Sequence, residues 1–205
     1  AVEFLNYQEG YAVVRGRLRE RYPYKSIYNR LCDIEWDGPA GDIDSCGGIF
    51  MIRAQVYKEI GGMNPAIVAG EEPEMCVRLR LEDWKIYRID HDMAWHDAGM
   101  TKFSQWWKRS KRAGYAYALG VSMHGKTRFR HYIREKRSIL FWGLMIPIMI
   151  VILSIVFDLR LVLLFAIYPL LVFRLYLRLY AQSRNHFNSL LYATNCIIGK
   201  FPQTM

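Results

Sequence analysis

Three acidic residues surround a proline in the run Gly70-Glu71-Glu72-Pro73-Glu74. Neighbouring carboxylates of this kind can act as general acids or bases in catalysis. The same residues also make a good helix start, because acids in the first turn complement the helix dipole and Pro suits the first helical position. From the residues alone, both interpretations stay open.

The elements that must position these carboxylates alternate between strands and helices. Apolar runs predict strands over 10–18, 47–53 and 84–89. Helical spacing predicts helices over 24–36, 53–60, 73–82 and 101–119. This alternation predicts an α/β domain.

Composition excludes several other classes of protein. Hydrophobic residues are 52% and charged residues 23% of the chain, which excludes intrinsic disorder. The four cysteines are widely spaced and form no Cys-x-x-Cys motif, which argues against a zinc site or a dense disulfide framework. This cysteine usage fits a reducing cytosol.

An ordered series of short motifs resembles the acceptor-side half of a bacterial membrane-associated family 2 glycosyltransferase. The series comprises Gly47-Gly48, Gly61-Gly62-Met63, the run 69–80, Trp84-Lys85-Ile86 and Trp95-His96-Asp97. It covers roughly residues 10–120. The resemblance implies a partial GT-A fold, which is a Rossmann-like α/β architecture.

The resemblance also implies a role for the acidic pair. Glu72 matches the family's general base, which deprotonates an acceptor hydroxyl, and Glu71 is the second candidate. The family usually has Asp at the second position, and Glu is one methylene longer.

Further site residues follow from the same resemblance. Gly47 and Gly48 would form a loop near the sugars, since glycine lets backbone approach a ligand closely, or they would only form a tight strand entry. Trp36 could stack on a sugar ring or pack in the core, and Arg78 matches the family's substrate-binding Arg. His96 matches a His that helps hold Mg²⁺ or Mn²⁺ on the donor diphosphate, with a purely structural role as its alternative.

The segment Gln105-Trp106-Trp107-Lys108-Arg109 is similar to the Gln-x-x-Arg-Trp motif of processive polysaccharide synthases. Lys108 stands where that motif has Arg, and Arg109 where it has Trp, so processivity is not inferred. Gln105 and Arg109 remain candidate substrate-binding residues. The aromatic and cationic residues of this segment also suit an amphipathic helix at a membrane surface, and we favour this second interpretation.

Charge separates the chain into two regions. Residues 1–100 carry a net charge of −5, whereas residues 101–205 carry +14. Residues 139–157 are uncharged and mostly apolar, long enough to span the hydrocarbon core of a bilayer, and a second apolar run begins at Leu161. The basic flanks predict a cytoplasmic location for the catalytic part and suit anionic lipid rather than nucleic acid. The family resemblance implies that this membrane is a bacterial inner membrane.

These observations predict four segments. Residues 1–120 form a partial catalytic domain, 121–138 a basic juxtamembrane segment, 139–180 a transmembrane or re-entrant helical hairpin, and 181–205 a truncated cytoplasmic tail. A buried hairpin in a soluble core is the alternative for residues 139–180.

The function that the family resemblance implies is sugar transfer from a nucleotide-sugar donor to a polysaccharide or lipid-linked acceptor. We expect the nucleotide-binding half and its Asp-x-Asp metal ligands to lie outside these 205 residues, so that the fragment is inactive in isolation. The alternative is a non-catalytic membrane scaffold with a degenerate glycosyltransferase-like domain.

Overall fold

The computed structural model describes residues 1–205 and is a mixed α/β structure. The chain divides into two compact units. The first contains residues 1–100 and 122–131, and the second contains residues 101–121 and 132–205.

A four-stranded mixed sheet organises the first unit. Its strands are β1 (Tyr11–Glu20), β2 (Gly41–Asp42), β3 (Met51–Ile52) and β4 (Lys85–His96), in the order β2-β4-β1-β3. The long strands β1 and β4 pair in parallel, and the two short strands pair antiparallel to them at the edges. Arg15 on β1 is the register partner of Arg88 on β4.

The helices of the first unit are α1 (Val2–Tyr7), α2 (Ile27–Trp36), α3 (Ala54–Glu59) and α4 (Glu71–Leu81). Ser26 caps α2 by accepting a hydrogen bond from the Asn29 N–H. The N-cap of α4 is Gly70, whose φ of 89° lies in the left-handed region that glycine reaches most easily.

The core of this unit lies between α4 and the centre of the sheet. Val13 of β1 and Ile86 of β4 pack with Met75, Cys76 and Leu79 of α4, and all five are buried. Burial of β-branched and aliphatic side chains at these positions fixes α4, and therefore its first turn, against the sheet.

A buried polar network ties the ends of β1, α2 and β4 together. The Glu20 carboxylate is 1% exposed and accepts hydrogen bonds from Asn29 Nδ2 at 3.0 Å and from the Ala98 N–H at 2.8 Å. Asn29 Oδ1 accepts from the Met100 N–H at 3.0 Å. Because every buried polar group here has a partner, the network holds the carboxyl end of β4 near α2.

The second unit is helical. Most of α5 (Phe103–His124) belongs to it, followed by α6 (Ile133–Leu140), a π-helical segment (Phe141–Met145) and α7 (Ile146–Val156). A 3₁₀ segment (Leu159–Ala166) leads into α8 (Ile167–Ser183), α9 (His186–Ile198) and α10 (Lys200–Gln203). The indole N–H of Trp106 donates to Asn195 Oδ1 at 2.6 Å.

Two continuous helical stretches, Ile133–Val156 and Leu159–Ser183, are long and apolar enough to cross a membrane. The most apolar 18 residues are 22% buried in the first stretch and 0% buried in the second. Large side chains such as Ile155 and Leu163 are more than 70% exposed. The prediction of two long apolar helices is confirmed.

The prediction of an α/β domain is confirmed at the level of its elements. The strand predicted over 47–53 shortens to Met51–Ile52, the two residues that pair with β1, and Gly47, with a φ of 64°, is not extended. The strand predicted over 84–89 instead continues to His96, paired along β1. The predicted loop after Trp36 contains the short edge strand β2.

Candidate functional site

The Glu72 carboxylate lies against the loop that contains the paired glycines. A Cβ atom placed on Gly48 would be 3.2 Å from Glu72 Oε1. Glu71 and Glu72 are both half-buried in the first turn of α4, and neither carboxylate has a hydrogen-bond or ion-pair partner. The structure therefore brings Glu72, Gly47 and Gly48 together.

Arg15 borders the other side of this loop. A Cβ placed on Gly47 would be 3.3 Å from Arg15 Nη1, so glycine allows the loop to contact the guanidinium. The side chain is half-buried, makes no ion pair, and has one long hydrogen bond of 3.4 Å to the Gly16 carbonyl. Burial lowers the pKa of Arg15, although an Arg retains its charge at neutral pH.

The thiols of Cys46 and Cys76 lie below the loop, with 3.4 Å between their sulfur atoms, and both are fully buried. The hydrogen bond with Cys76 and burial together raise the pKa of Cys46. Cys46 is therefore a neutral packing group that supports the loop.

Arg88 on β4 is the register partner of Arg15 on β1, so the two cationic side chains start from neighbouring positions of the sheet. Arg88 is 5% exposed, and its Nη2 donates to the Trp36 carbonyl at 3.1 Å. A Cβ on Gly38 would be 2.6 Å from Arg88 Nη1, so the loop after α2 also approaches through a glycine. Burial first, and the Arg15 charge next, lower the pKa of Arg88.

Trp36 and His96 meet at the edge of the same region. Their ring centroids are 5.5 Å apart, and the indole is half-buried at the end of α2. His96 is exposed at the end of β4. Trp36 thus contacts both Arg88 and His96 rather than the apolar core cluster around Val13.

We refer to Arg15, Gly47, Gly48, Glu72 and Arg88 as the glycine-loop site. It combines an unpaired carboxylate with two adjacent guanidinium groups, a chemistry that could accept a proton and hold an anion.

His96 does not form a metal site with its neighbours. The structure contains no group of three or more His, Cys, Asp or Glu side chains that could hold a metal ion. The neighbouring Asp97 carboxylate accepts from the Gly99 N–H at 2.7 Å, as in a local turn. The residues present do not fit a complete metal site.

The guanidinium nitrogens of Arg78 all donate hydrogen bonds to other groups of the protein. Its Nε and Nη2 donate to the Glu74 carboxylate at 2.9 and 2.8 Å, and its other donors reach the carbonyls of Ile60 and Gly62. His124 Nε2 lies 2.9 Å from the same Glu74 carboxylate. These contacts favour a role for Arg78 in positioning α4 over the predicted contact with substrate.

Gln105 and Arg109 belong to the second unit. Gln105 Oε1 accepts from the N–H groups of Thr101 and Lys102 at 2.8 and 2.9 Å, and so caps the start of α5. Arg109 is exposed one helical turn further along. The contacts of Gln105 favour a structural role at the helix start.

Arg15 and Arg88 were missed by the sequence reasoning. The run Arg15-Gly16-Arg17-Leu18-Arg19 alternates with the period of a strand, which places three cations on one face of β1. That alternation is the signal that could have drawn attention to Arg15. No comparable signal marks Arg88, because its pairing with Arg15 is set by strand register.

Comparison with protein-family models and with curated proteins finds no match to this chain.

Proposed function

We propose that this chain is part of a membrane-associated glycosyltransferase that moves a sugar from a nucleotide-sugar donor to a polysaccharide or lipid-linked acceptor. The observation that carries the proposal is the position of Glu72. Its carboxylate lies beside the glycine loop with no hydrogen-bond or ion-pair partner, while Glu74, two residues later, is fully paired.

In the proposed reaction, Glu72 acts as the general base. Its carboxylate takes the proton from an acceptor hydroxyl while that oxygen attacks the anomeric carbon of the donor sugar. The new carbon–oxygen bond forms as the bond to the diphosphate breaks, and the diphosphate leaves with the electron pair. A carboxylate without other partners is suited to this role, because no existing hydrogen bond must break first.

The donor site would be completed by residues outside these 205. The ligands of a divalent metal would come mainly from an Asp-x-Asp motif outside this chain, and such a metal would supply positive charge opposite the diphosphate. From this chain, His96 is the first metal-ligand candidate that the family resemblance offers, with His91 and Asp97 as weaker ones. Trp36, whose half-buried ring lies beside His96, would contact a sugar of the substrate.

The second unit supports a location at a membrane. Its two apolar helices expose large aliphatic side chains, whereas a helix in a soluble core would bury them. We propose that residues 139–180 form a hairpin in the bacterial inner membrane, with the sheet-containing unit on the cytoplasmic side. The basic flanks of the hairpin fit this orientation.

The proposal is tested by Glu72→Gln in the gene product that contains these residues. Transfer of a radiolabelled sugar from nucleotide-sugar donors to membrane-extracted acceptors would be measured. We expect a 10²- to 10⁴-fold lower rate, the usual contribution of a general base. Glu82→Gln removes an exposed carboxylate at the other end of α4 and should leave the rate unchanged.

Transfer that is unaffected by Glu72→Gln would exclude Glu72 as the base. If the wild-type gene product transfers no sugar but its deletion abolishes glycan synthesis, the non-catalytic scaffold would be the correct function.

A further inference from the structure

The two guanidinium groups of the glycine-loop site have too few negative partners. Arg15 and Arg88 are neighbours across two parallel strands and lie on the same face of the sheet. Arg15 makes no ion pair, and the one carboxylate near Arg88 belongs to Asp37, 3.5 Å away and 56% exposed. Two adjacent cations in a partly desolvated region repel each other, and an anion between them would compensate this repulsion.

Arg88 also has an unused donor. Its Nε–H is buried and has no acceptor, although Nη2 donates to the Trp36 carbonyl. A buried donor on a charged group is costly to leave unsatisfied. The Nε–H of Arg88 could therefore donate a hydrogen bond to an acceptor on a ligand.

The excess of positive charge is confined to this pair. Further along the same face, Arg17 forms an ion pair with Asp90, and Arg19 forms one with Asp92. The strands therefore supply a carboxylate to each arginine except at the level of Arg15 and Arg88. Glycines at positions 38 and 47 allow both bordering loops to approach the pair closely.

We propose that Arg15 and Arg88 together bind a phosphoryl group, as carried by a diphosphate ester. Guanidinium groups bind phosphate oxygens through paired, charge-assisted hydrogen bonds, and two of them match a doubly charged group. A neutral sugar hydroxyl would not compensate both cations. The assignment of this phosphate to a substrate rests on the proposed function, but the binding itself does not.

The test uses the full 205-residue chain in detergent, titrated with inorganic pyrophosphate by calorimetry at pH 7.5 and constant low salt. We expect saturable binding with a Kd on the order of 1 mM, since the site offers few contacts. Arg15→Gln should weaken this binding at least tenfold. Lys58→Gln removes an exposed cation from α3 and should change the Kd less than twofold.

Arg88→Lys provides a second variant, because it retains the charge of a buried residue while removing the planar donors. It should weaken binding by a similar factor. Arg15→Gln alone decides the matter if Arg88→Lys unfolds, because the Arg15 side chain has only one long hydrogen bond to lose.

Competition then assigns the source of the phosphate. Displacement of pyrophosphate by micelles that contain phosphatidic acid, but not by micelles of neutral lipid, indicates a lipid headgroup. Displacement only by a soluble nucleoside diphosphate indicates the donor.

The proposal is overturned if pyrophosphate does not bind saturably, or if Arg15→Gln binds as tightly as the wild type. Glu72→Gln separates this outcome from failure of the proposed function. It should lower transfer 10²- to 10⁴-fold yet retain pyrophosphate binding, because it removes a nearby negative charge and no hydrogen-bond donor.

Discussion

Two glutamates in the first turn of α4, Glu72 and Glu74, have opposite environments. In the cluster of Glu74, Arg78 and His124, the carboxylate is 3% exposed and accepts from a guanidinium, with an imidazole nitrogen 2.9 Å away. In the glycine-loop site, the Glu72 carboxylate has no such partner, and nor does the nearby Arg15 guanidinium. This contrast indicates that the paired charges position the helix, whereas the unpaired charges are available to a ligand.

The largest expected effect is a difference in the free energy of unfolding between substitutions of Glu74 and of Glu72. Glu74→Ala should lower the free energy of unfolding by about 3 kcal/mol, because it leaves the largely buried Arg78 without its counter-ion. Glu72→Ala should change it by less than about 0.5 kcal/mol. Chemical denaturation of the chain in detergent measures both. Equal losses would mean that Glu72 is also a structural residue.

A second prediction concerns Cys46, the buried thiol directly before the paired glycines of the loop. Because hydrogen bonding with Cys76 and burial raise the pKa of Cys46, this thiol should react with a maleimide at least about tenfold more slowly in the folded chain than in denaturant at pH 7.5. Mass spectrometry of the labelled peptides would identify the site. Rapid labelling of Cys46 in the folded chain would show that the loop opens.

The acid dependence of stability should also originate in the paired cluster. Burial raises the pKa of Glu74, but hydrogen bonds from Arg78 and His124 outweigh it and lower the pKa overall. The folded state then binds fewer protons than the unfolded state, so this contribution to stability is present above the ordinary pKa of 4.5 and is lost as the pH falls below it. Denaturation midpoints measured from pH 7 to pH 3 should fall less steeply in Glu74→Gln than in the wild type. Parallel curves would assign the acid sensitivity to other carboxylates.

The smallest effect is expected for the ion-paired arginines near the carboxyl end of β1. Arg19→Gln removes an ion pair with Asp92 whose partners are 33% and 44% exposed. It should cost less than about 0.5 kcal/mol of unfolding free energy and leave pyrophosphate binding within twofold of the wild type. A tenfold loss of binding would extend the anion site along β1.

Much of the local structure could be predicted from the sequence. Pro73 and the surrounding acids predict a helix that starts at Pro73, and α4 begins two residues earlier, at Glu71. Helical periodicity predicts α2, and the long uncharged run predicts the helical stretch that ends at Val156. These signals are readable because propensity, capping and periodicity depend on residues a few positions apart.

The roles of individual side chains were less predictable. Arg78 fits a substrate-binding motif, yet its donors all point to Glu74 and to the carbonyls of Ile60 and Gly62. Gln105 fits another motif, yet it caps α5. A motif specifies the residue type, whereas partners from distant parts of the chain decide how its hydrogen-bonding groups are used.

The sequence by itself determined the longer strands and helices of the first unit, the acidic helix start and the two apolar helical stretches, because each depends on short-range pattern. Only the tertiary structure decided that Arg15 and Arg88 lie side by side and that Glu72 borders the glycine loop. The residues of each pair are more than 20 positions apart in the chain. Strand register and the packing of α4 on the sheet bring them together, and both arise from burial of the shared core around Val13 and Ile86.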